Sequence, residues 1–280
     1  AEIERLLPDF ADELNKQMER RIRVIAERYG DRVSSWDVCN ESATDFERGN
    51  HVPGAKLCKS VYGFMPGDYT YHSFQVADDA FPKSVKLNIN DYNLGRCYPR
   101  QVNDLRARGC RIDIMGAQTH LFNPQTCLDI AEGKSDIQSP ERVWKTMETI
   151  ARAGLPIHLS EITITAPNNA ERGQAIQAVI ARDLYPSWFS IKPMMGITWW
   201  NVVDDCGAPG EPSVSGLFSR DMAPKPAFHA LDGLINGEWK TTKELRAGKD
   251  GAVSFRGFRG HYRLSWTQDG REHETTVHVG

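Results

Sequence analysis

Residues 84–120, SVKLNINDYNLGRCYPRQVNDLRARGCRIDIMGAQTH, contain a strand, a helix and a second strand in succession. The short apolar runs 85–90 and 112–117 have the length and composition of buried strands, and the amphipathic stretch 99–108 lies between them. Two strands that are joined through a crossover helix pair in parallel within one sheet. This segment therefore predicts an α/β fold with a parallel sheet.

The same alternation occupies most of the chain. Further strands are predicted at residues 33–39, 157–161 and 195–202. Further helices are predicted at residues 1–29, 68–80, 140–153, 170–184 and 224–235. Such repeated units form either an open doubly wound sheet or a closed eight-stranded barrel. The sequence lacks the G-x-G-x-x-G and G-x-x-x-x-G-K-[ST] phosphate loops, which favours the barrel.

The composition is that of a globular protein and excludes several classes of function. Hydrophobic residues make up 40% of the chain and aromatic residues 9%, which argues against disorder. No apolar run approaches the length of a membrane span, and a net charge of −3 gives no broad attraction to nucleic acid. The six cysteines include no C-x-x-C pair and the eight histidines no H-E-x-x-H motif, so we expect no metal site and no cofactor.

The C-terminal segment, residues 239–280, differs from the rest because it consists of short alternating runs with Gly and Asp-Gly turns. We expect a small β-rich appendage there and an α/β domain over residues 1–238. The appendage is interpreted as a cap, since about 40 residues form a poor independent domain. The alternative is a sugar-binding surface that uses Phe258, Tyr262 and Trp266.

Polar side chains follow every predicted strand, at the C-terminal strand ends where barrel enzymes place their active sites. Two of them, Glu41 and Glu161, are carboxylates that a closed barrel brings to the same mouth. Glycoside hydrolysis uses such a pair, because one carboxyl protonates the leaving oxygen and the other attacks the anomeric carbon. The alternative is that both are ordinary polar residues at the start of loops, in a purely structural domain.

Six blocks of the sequence occur in the order found in one known family. They are WDVCNE (36–41), NDYN (90–93), IDIMGAQTH (112–120), HLSE (158–161), ITWWNVVD (197–204) and GLFSRDMAPKPAF (216–228). Together these blocks resemble glycoside hydrolase family 10, whose members are mostly endo-β-1,4-xylanases on a (β/α)8 barrel. The resemblance covers about residues 1–236.

The resemblance implies roles for the two carboxylates and their neighbours. Glu41 corresponds to the general acid/base and Glu161 to the nucleophile. Gln118 and His120 correspond to residues that bind the sugar and support the nucleophile. Asn40 corresponds to the residue that contacts the sugar 2-hydroxyl.

Two aromatic residues complete the implied substrate site. Trp200 matches the tryptophan that forms the floor of the catalytic subsite, and Tyr92 is expected on the leaving-group side. Trp199 is expected either beside Trp200 in the substrate site or in the core of the barrel. Sugar rings pack their apolar faces on such side chains.

The sequence also departs from the family pattern. Ile162 and Thr163 follow Glu161 where the family has Leu-Asp, so the carboxylate that orients the histidine is absent. The stretch 205–215 lacks the tryptophan that roofs the subsite. No block in residues 1–32 matches the first three strands, so we expect a barrel that lacks those strands in this chain and is completed by a complementary N-terminal segment or chain.

The function expected from these observations is retaining, endo-acting cleavage of β-1,4-xylosidic bonds in xylan by double displacement. The alternatives are a β-1,4-glycanase that acts on another polysaccharide and an inactive or degenerate carbohydrate-binding fragment of the same fold. The expected partner is a polysaccharide or oligosaccharide, with no nucleic acid and no membrane. The resemblance alone implies a secreted or periplasmic location.

Overall fold

The computed structural model describes residues 2–279. Its strands, in chain order, are β1 (Ser35–Asn40), β2 (Leu57–Ser60), β3 (Gly63–Pro66), β4 (Lys86–Asp91), β5 (Ile114–Leu121), β6 (Ile157–Ile164), β7 (Met194–Trp199), β8 (Gly260–Gln268) and β9 (Arg271–Val279). Its helices are α1 (Glu2–Leu6), α2 (Phe10–Tyr29), α3 (Ala43–Glu47), α4 (Tyr69–Ala80), α5 (Cys97–Ala107), α6 (Pro124–Ala131), α7 (Pro140–Ala151), α8 (Glu171–Phe189) and α9 (Pro226–Asp232), followed by a π-helical turn (Gly233–Glu238).

The central sheet contains five strands in the order β1-β4-β5-β6-β7, and every neighbouring pair is parallel. These are the five strands that the sequence predicts, and the parallel α/β arrangement is confirmed. Within residues 2–279 the sheet is open, with β1 and β7 at its edges. The parallel order carries the C-terminal strand ends to one side of the sheet, where the predicted site residues lie.

The core lies between the sheet and the helices that cover it. Among the largest fully buried side chains are Leu87, Ile89, Met115, Ile157, Leu159 and Ile162 on the central strands. Helix α7 shows how the covering helices form, because Val143, Met147 and Ile150 recur on one face and are buried. Its first turn is capped by Ser139, whose hydroxyl accepts the backbone N–H of Arg142 at 3.4 Å.

Some helix bounds differ from the prediction for local reasons. The single helix predicted over residues 1–29 is divided into α1 and α2, and Pro8 lies in the break. Proline lacks the backbone N–H that a continuous helix needs. Helix α6 was not predicted, although Asn123 caps it by accepting the N–H of Gln125 at 2.9 Å and Pro124 occupies its first position.

The chain divides into two compact units, Ala1–Ala227 and Phe228–Gly280. The second unit contains the antiparallel pair β8 and β9, joined at Asp269 and Gly270, which both have positive φ. This is the conformation of the tight hairpin turn that an Asp-Gly pair favours. The division of residues 1–238 from residues 239–280 stays a prediction, as do both interpretations of the appendage.

Three further findings concern side chains and helices within residues 2–279. No helix there is long and apolar enough to cross a membrane. No three of the histidine, cysteine and acidic side chains described are grouped as metal ligands. The six cysteines are all free thiols, and Cys206 is the exposed one.

Candidate active site

A cavity of about 680 Å³ lies where the C-terminal ends of the central strands meet. All of the site residues that the sequence predicts line this cavity: Asn40, Glu41, Tyr92, Gln118, His120, Glu161 and Trp200. Glu211 and Phe122, which the sequence analysis did not single out, line it as well. The parallel sheet therefore gathers into one place side chains that are far apart in the chain.

Glu41 occupies the first position after β1 and has a left-handed backbone, with φ 58°. Residues other than glycine rarely adopt this conformation, so its backbone is strained. The Glu41 N–H donates to the Asn90 carbonyl at 2.8 Å. Its carboxylate accepts hydrogen bonds from the Gln118 side chain at 3.1 Å and from the Tyr62 hydroxyl. The side chain is thus held from two sides.

Tyr62 lies in the turn of the β2–β3 hairpin, and 58% of its surface is exposed. Burial raises the pKa of the Tyr62 hydroxyl, and its hydrogen bond to the Glu41 carboxylate raises it further. The phenol therefore remains a hydrogen-bond donor. The sequence analysis missed this residue, because a short hairpin within a long connection gives no periodic signal.

Asp45, in α3, anchors that hairpin. Its buried carboxylate accepts hydrogen bonds from the Ser60 hydroxyl, from the Val61 N–H at 2.9 Å and from the Tyr69 hydroxyl at 2.9 Å. Burial alone would raise the pKa of Asp45, but these hydrogen bonds outweigh it and lower the pKa. An ionised Asp45 therefore fixes the segment that carries Tyr62.

Glu161 lies within β6 and contacts side chains from β4 and β5 of the same sheet. One carboxylate oxygen accepts the Asn90 side-chain N–H at 2.8 Å, and the other lies 3.5 Å from Nε2 of His120. Asn90 is held in turn, because its side-chain oxygen accepts the Ser160 hydroxyl at 2.5 Å. Only 18% of the Glu161 side chain is exposed.

A continuous chain of amide side chains links the two carboxylates. The Gln118 amide donates to Glu41 and also to the Asn40 side-chain oxygen, the latter at 3.0 Å. The Asn90 amide donates to that same Asn40 oxygen at 3.0 Å and to Glu161. The donors of both amides are fully used, so the two carboxylates have fixed positions relative to each other.

His120 is held without the carboxylate that the family pattern leads one to expect. Its Nδ1 lies 2.9 Å from the Thr163 hydroxyl, and its ring stacks on Phe122 with centroids 4.3 Å apart. Thr163 is fully buried, so its hydroxyl serves this contact rather than solvent. Thr163 thus contacts His120 through its hydroxyl, where the family pattern leads one to expect a carboxylate.

Asp91, the last residue of β4, joins the loops that follow β1 and β4. Its carboxylate accepts the backbone N–H groups of Ala43 and Asn93, each at 2.7 Å. Burial raises the pKa of Asp91 to about 6, and the charge of Glu41 adds to this shift. Tyr92 lies between these anchored residues and exposes 51% of its surface at the cavity.

The two tryptophans at the C-terminal end of β7 have different environments. Trp199 is buried and donates its ring N–H to the Ser215 carbonyl at 3.1 Å, which places it in the core. Trp200 is 38% exposed and lines the cavity, and its ring N–H lies 3.2 Å from both oxygens of Glu211. A fixed and accessible indole ring suits the packing of a sugar face.

Comparison with known proteins identifies a family profile and relatives that are named as xylanases. A sequence profile described as glycosyl hydrolase family 10 matches residues 6–233. The chain is 26% identical over 233 residues to endo-1,4-beta-xylanase 3 of Hypocrea jecorina, covering 80% of this chain and 58% of that protein. It is also 26% identical over 241 residues to a thermostable celloxylanase of Thermoclostridium stercorarium, covering 78% and 57%. The chain therefore spans less than two thirds of the length of either relative.

Solved structures show the same relationship at the level of the fold. A mutant of TsXylA, an intracellular xylanase from Thermoanaerobacterium saccharolyticum, solved with xylotriose, has a TM-score of 0.58 at 21% identity, covering 79% of this chain and 65% of that one. A CBM22-1-GH10 structure of the Clostridium thermocellum xylanase 10B with xylohexaose has a TM-score of 0.58 at 18% identity, covering 80% and 45%. These similarities confirm the predicted α/β barrel class.

Proposed function

Because the chain belongs to glycosyl hydrolase family 10, we propose that it is a retaining, endo-acting β-1,4-xylanase that uses Glu161 and Glu41. The observation that carries this proposal is the placement of two carboxylates in one cavity, joined by the Gln118, Asn40 and Asn90 amides. This arrangement suits a reaction that needs two carboxyl groups at a constant separation.

In the first step, Glu161 attacks the anomeric carbon while Glu41 donates its proton to the glycosidic oxygen. The carbon–oxygen bond to the leaving sugar breaks, and a glycosyl ester forms on Glu161. In the second step, Glu41 takes a proton from water, which attacks the same carbon and releases Glu161. The anomeric configuration is inverted twice and so retained.

Substrate recognition is proposed to use the exposed rings at the cavity. Trp200 supplies a floor against which an apolar sugar face packs, and Tyr92 lies toward the leaving-group side. Asn40 is proposed to contact the sugar 2-hydroxyl, a contact that strengthens in the transition state. Its position between both carboxylates supports this role.

The proposal is tested by the release of reducing ends from xylan, with carboxymethylcellulose as the competing substrate. We expect faster hydrolysis of xylan and a product of retained configuration. Faster hydrolysis of carboxymethylcellulose would favour the other β-1,4-glycanase, an alternative to which the similarity to a celloxylanase gives support.

A second candidate function is carbohydrate binding without turnover. The contact between His120 and a threonine hydroxyl, where the family pattern has a carboxylate, favours this candidate. It predicts that xylo-oligosaccharides bind without being hydrolysed and that Glu161→Ala leaves their affinity unchanged. Loss of affinity in that variant, or any hydrolysis that Glu161→Ala abolishes, would exclude it.

We also propose that further strands complete the sheet between the edges formed by β7 and β1. Both edge strands carry backbone groups that no described strand pairs, and such edges favour pairing with another segment. Intact mass and size-exclusion analysis of the active material test this point. We expect a longer chain or a bound second fragment, whereas full activity of a monomer with only these residues would contradict it.

A polysaccharide substrate cannot enter a cell, so we propose a secreted or periplasmic location. Fractionation of the source cells, with xylanase activity as the readout, tests this proposal. Activity confined to the cytoplasmic fraction would contradict it.

A further inference from the structure

The loop after Trp200 is built to hold the Glu211 carboxylate at the wall of the cavity. The carboxylate accepts hydrogen bonds from the Asn201 side chain at 2.5 Å and from the Ala208 N–H at 3.1 Å, in addition to the Trp200 ring. A Cβ atom at Gly207 would lie 2.7 Å from this carboxylate, so the glycine leaves the space that the Glu211 side chain occupies. Glu211 is therefore fixed in place rather than free in solvent.

Glu211 carries a negative charge at neutral pH. Partial burial alone would raise its pKa, but the hydrogen bonds from Asn201, Ala208 and Trp200 outweigh this effect and lower the pKa. The carboxylate thus adds a third acidic group to a cavity that Glu41 and Glu161 already line.

The basic groups that line the same cavity do not balance these charges. Arg142 is already paired, because its guanidinium lies 2.9 Å from the Asp136 carboxylate. His120 lies between the Thr163 hydroxyl and Glu161. A bound ligand therefore meets a fixed excess of negative charge on the side where Glu211 holds Trp200.

We propose that Glu211 is a specificity-determining residue that favours neutral sugar units next to Trp200 and rejects units that carry a carboxylate, such as uronic acid side groups. The proposal rests on the proposed function, because it assumes that a β-1,4-linked sugar chain occupies this cavity. Like charges in a partly desolvated site repel each other strongly, and a sugar carboxylate would also lose its hydration there.

Binding measurements separate this proposal from the question of turnover. Titration calorimetry compares neutral xylotetraose with a xylotetraose that carries one glucuronic acid side group, for the unmodified protein and for Glu211→Gln. Both ligands have sulfur in place of the glycosidic oxygens between the xylose units, so that neither is hydrolysed during the titration. Asp205→Asn is the matched control, because it removes one exposed charge from the same loop and asparagine tolerates the positive φ at that position. The same titrations at high salt require no substitution and so do not depend on the loop remaining folded in a variant.

We expect the unmodified protein to bind the neutral ligand about tenfold more tightly than the acidic ligand. This ratio should fall toward one in Glu211→Gln and at high salt, and should persist in Asp205→Asn. Equal affinities in the unmodified protein, or a ratio that Glu211→Gln and salt leave unchanged, would overturn the role of Glu211 while the proposed function stands. If neither ligand bound any of the three proteins, the proposed function and the specificity role would both be overturned.

Discussion

The two carboxylates of the cavity are held by different parts of the molecule. Glu161 lies inside β6 of the central sheet, and its neighbours are carried by strands of the same sheet: Ser160 by β6, His120 by β5 and Asn90 by β4. Glu41 lies just after an edge strand in a strained conformation, and one of its two donors, Tyr62, comes from the turn of an exposed hairpin.

This difference fits the roles proposed for the two residues. A nucleophile has to meet one carbon atom at a fixed distance, and the packed sheet supplies that precision. An acid/base residue exchanges protons with the leaving sugar and with water, so it has to lie nearer solvent. The sheet side of the site is therefore expected to be the more rigid of the two, and the hairpin side the more adjustable.

The largest expected effect comes from Glu161→Ala. Removal of the nucleophile should lower kcat about 10⁴-fold or more on xylan and equally on an aryl xylobioside with a good leaving group. Glu148→Ala, which removes an exposed carboxylate from α7, is the control and should keep full activity. Residual activity above about a tenth in Glu161→Ala would rule out the nucleophile assignment.

Glu41→Ala distinguishes the two sides of the site most clearly. Hydrolysis of xylan should fall about 10²- to 10⁴-fold, since general acid catalysis contributes that much. Formation of the glycosyl ester from an aryl xylobioside with an acidic phenol should fall far less, because that leaving group needs no proton. Burst kinetics of phenol release measure this step, and equal losses on both substrates would count against the acid/base role.

Asn90 tests the rigid side, because it contacts Glu161 directly. Asn90→Ala removes a hydrogen bond to a charged group and should lower kcat about 10- to 100-fold on both substrates. Gly116→Ala provides an independent test, since a Cβ there would lie 2.5 Å from the Asn90 side-chain oxygen and displace the amide. If Gly116→Ala kept full activity while remaining folded, the position of Asn90 would not limit the reaction.

Tyr62→Phe tests the adjustable side with a smaller change. Loss of the hydroxyl removes one of the two donors to Glu41 and should lower xylan hydrolysis about fivefold. Phenol release in the burst phase should stay close to that of the unmodified protein, because Glu161 keeps its donors. An equal loss in both assays would show that Tyr62 acts on the whole site rather than through Glu41.

The smallest expected effect is a pH dependence of the hairpin. The lowered pKa of Asp45 means that its stabilising contribution is present above its ordinary pKa and is lost as the pH falls through the lowered value. The Val61 amide, which donates to Asp45, should therefore lose hydrogen-exchange protection on acidification below about pH 4, before amides of β5 and β6 do. Asp45→Asn should remove this pH dependence, and its persistence there would identify another group.

The strands and the residues at their ends were predictable because each depends on local pattern. Apolar runs such as 85–90 and 157–161 predict strands from their own sequence, whatever their position in the sheet. Parallel pairing of these strands then brings Asn40, Gln118 and Glu161 together. The roles of these residues came from the family resemblance and stay predictions until the variants are measured.

Other parts of the site depend on contacts between distant segments and so had no local signal. Tyr62 reaches Glu41 only because Asp45 anchors a hairpin of four-residue strands. Glu211 lines the cavity from a loop in which Asn201 donates to its carboxylate and Gly207 leaves space for it. Neither segment is periodic, and neither contact can be inferred from spacing along the chain.

The most direct test of the two-carboxylate mechanism is azide rescue, with an aryl β-xylobioside as substrate and NMR of the sugar product. In Glu161→Ala, azide should replace the nucleophile and yield an α-glycosyl azide. In Glu41→Ala, azide should intercept the glycosyl ester on Glu161 from the opposite face and yield a β-glycosyl azide. The same azide configuration from both variants, or no rescue in either, would contradict the assignment of the two carboxylates to opposite faces of the sugar.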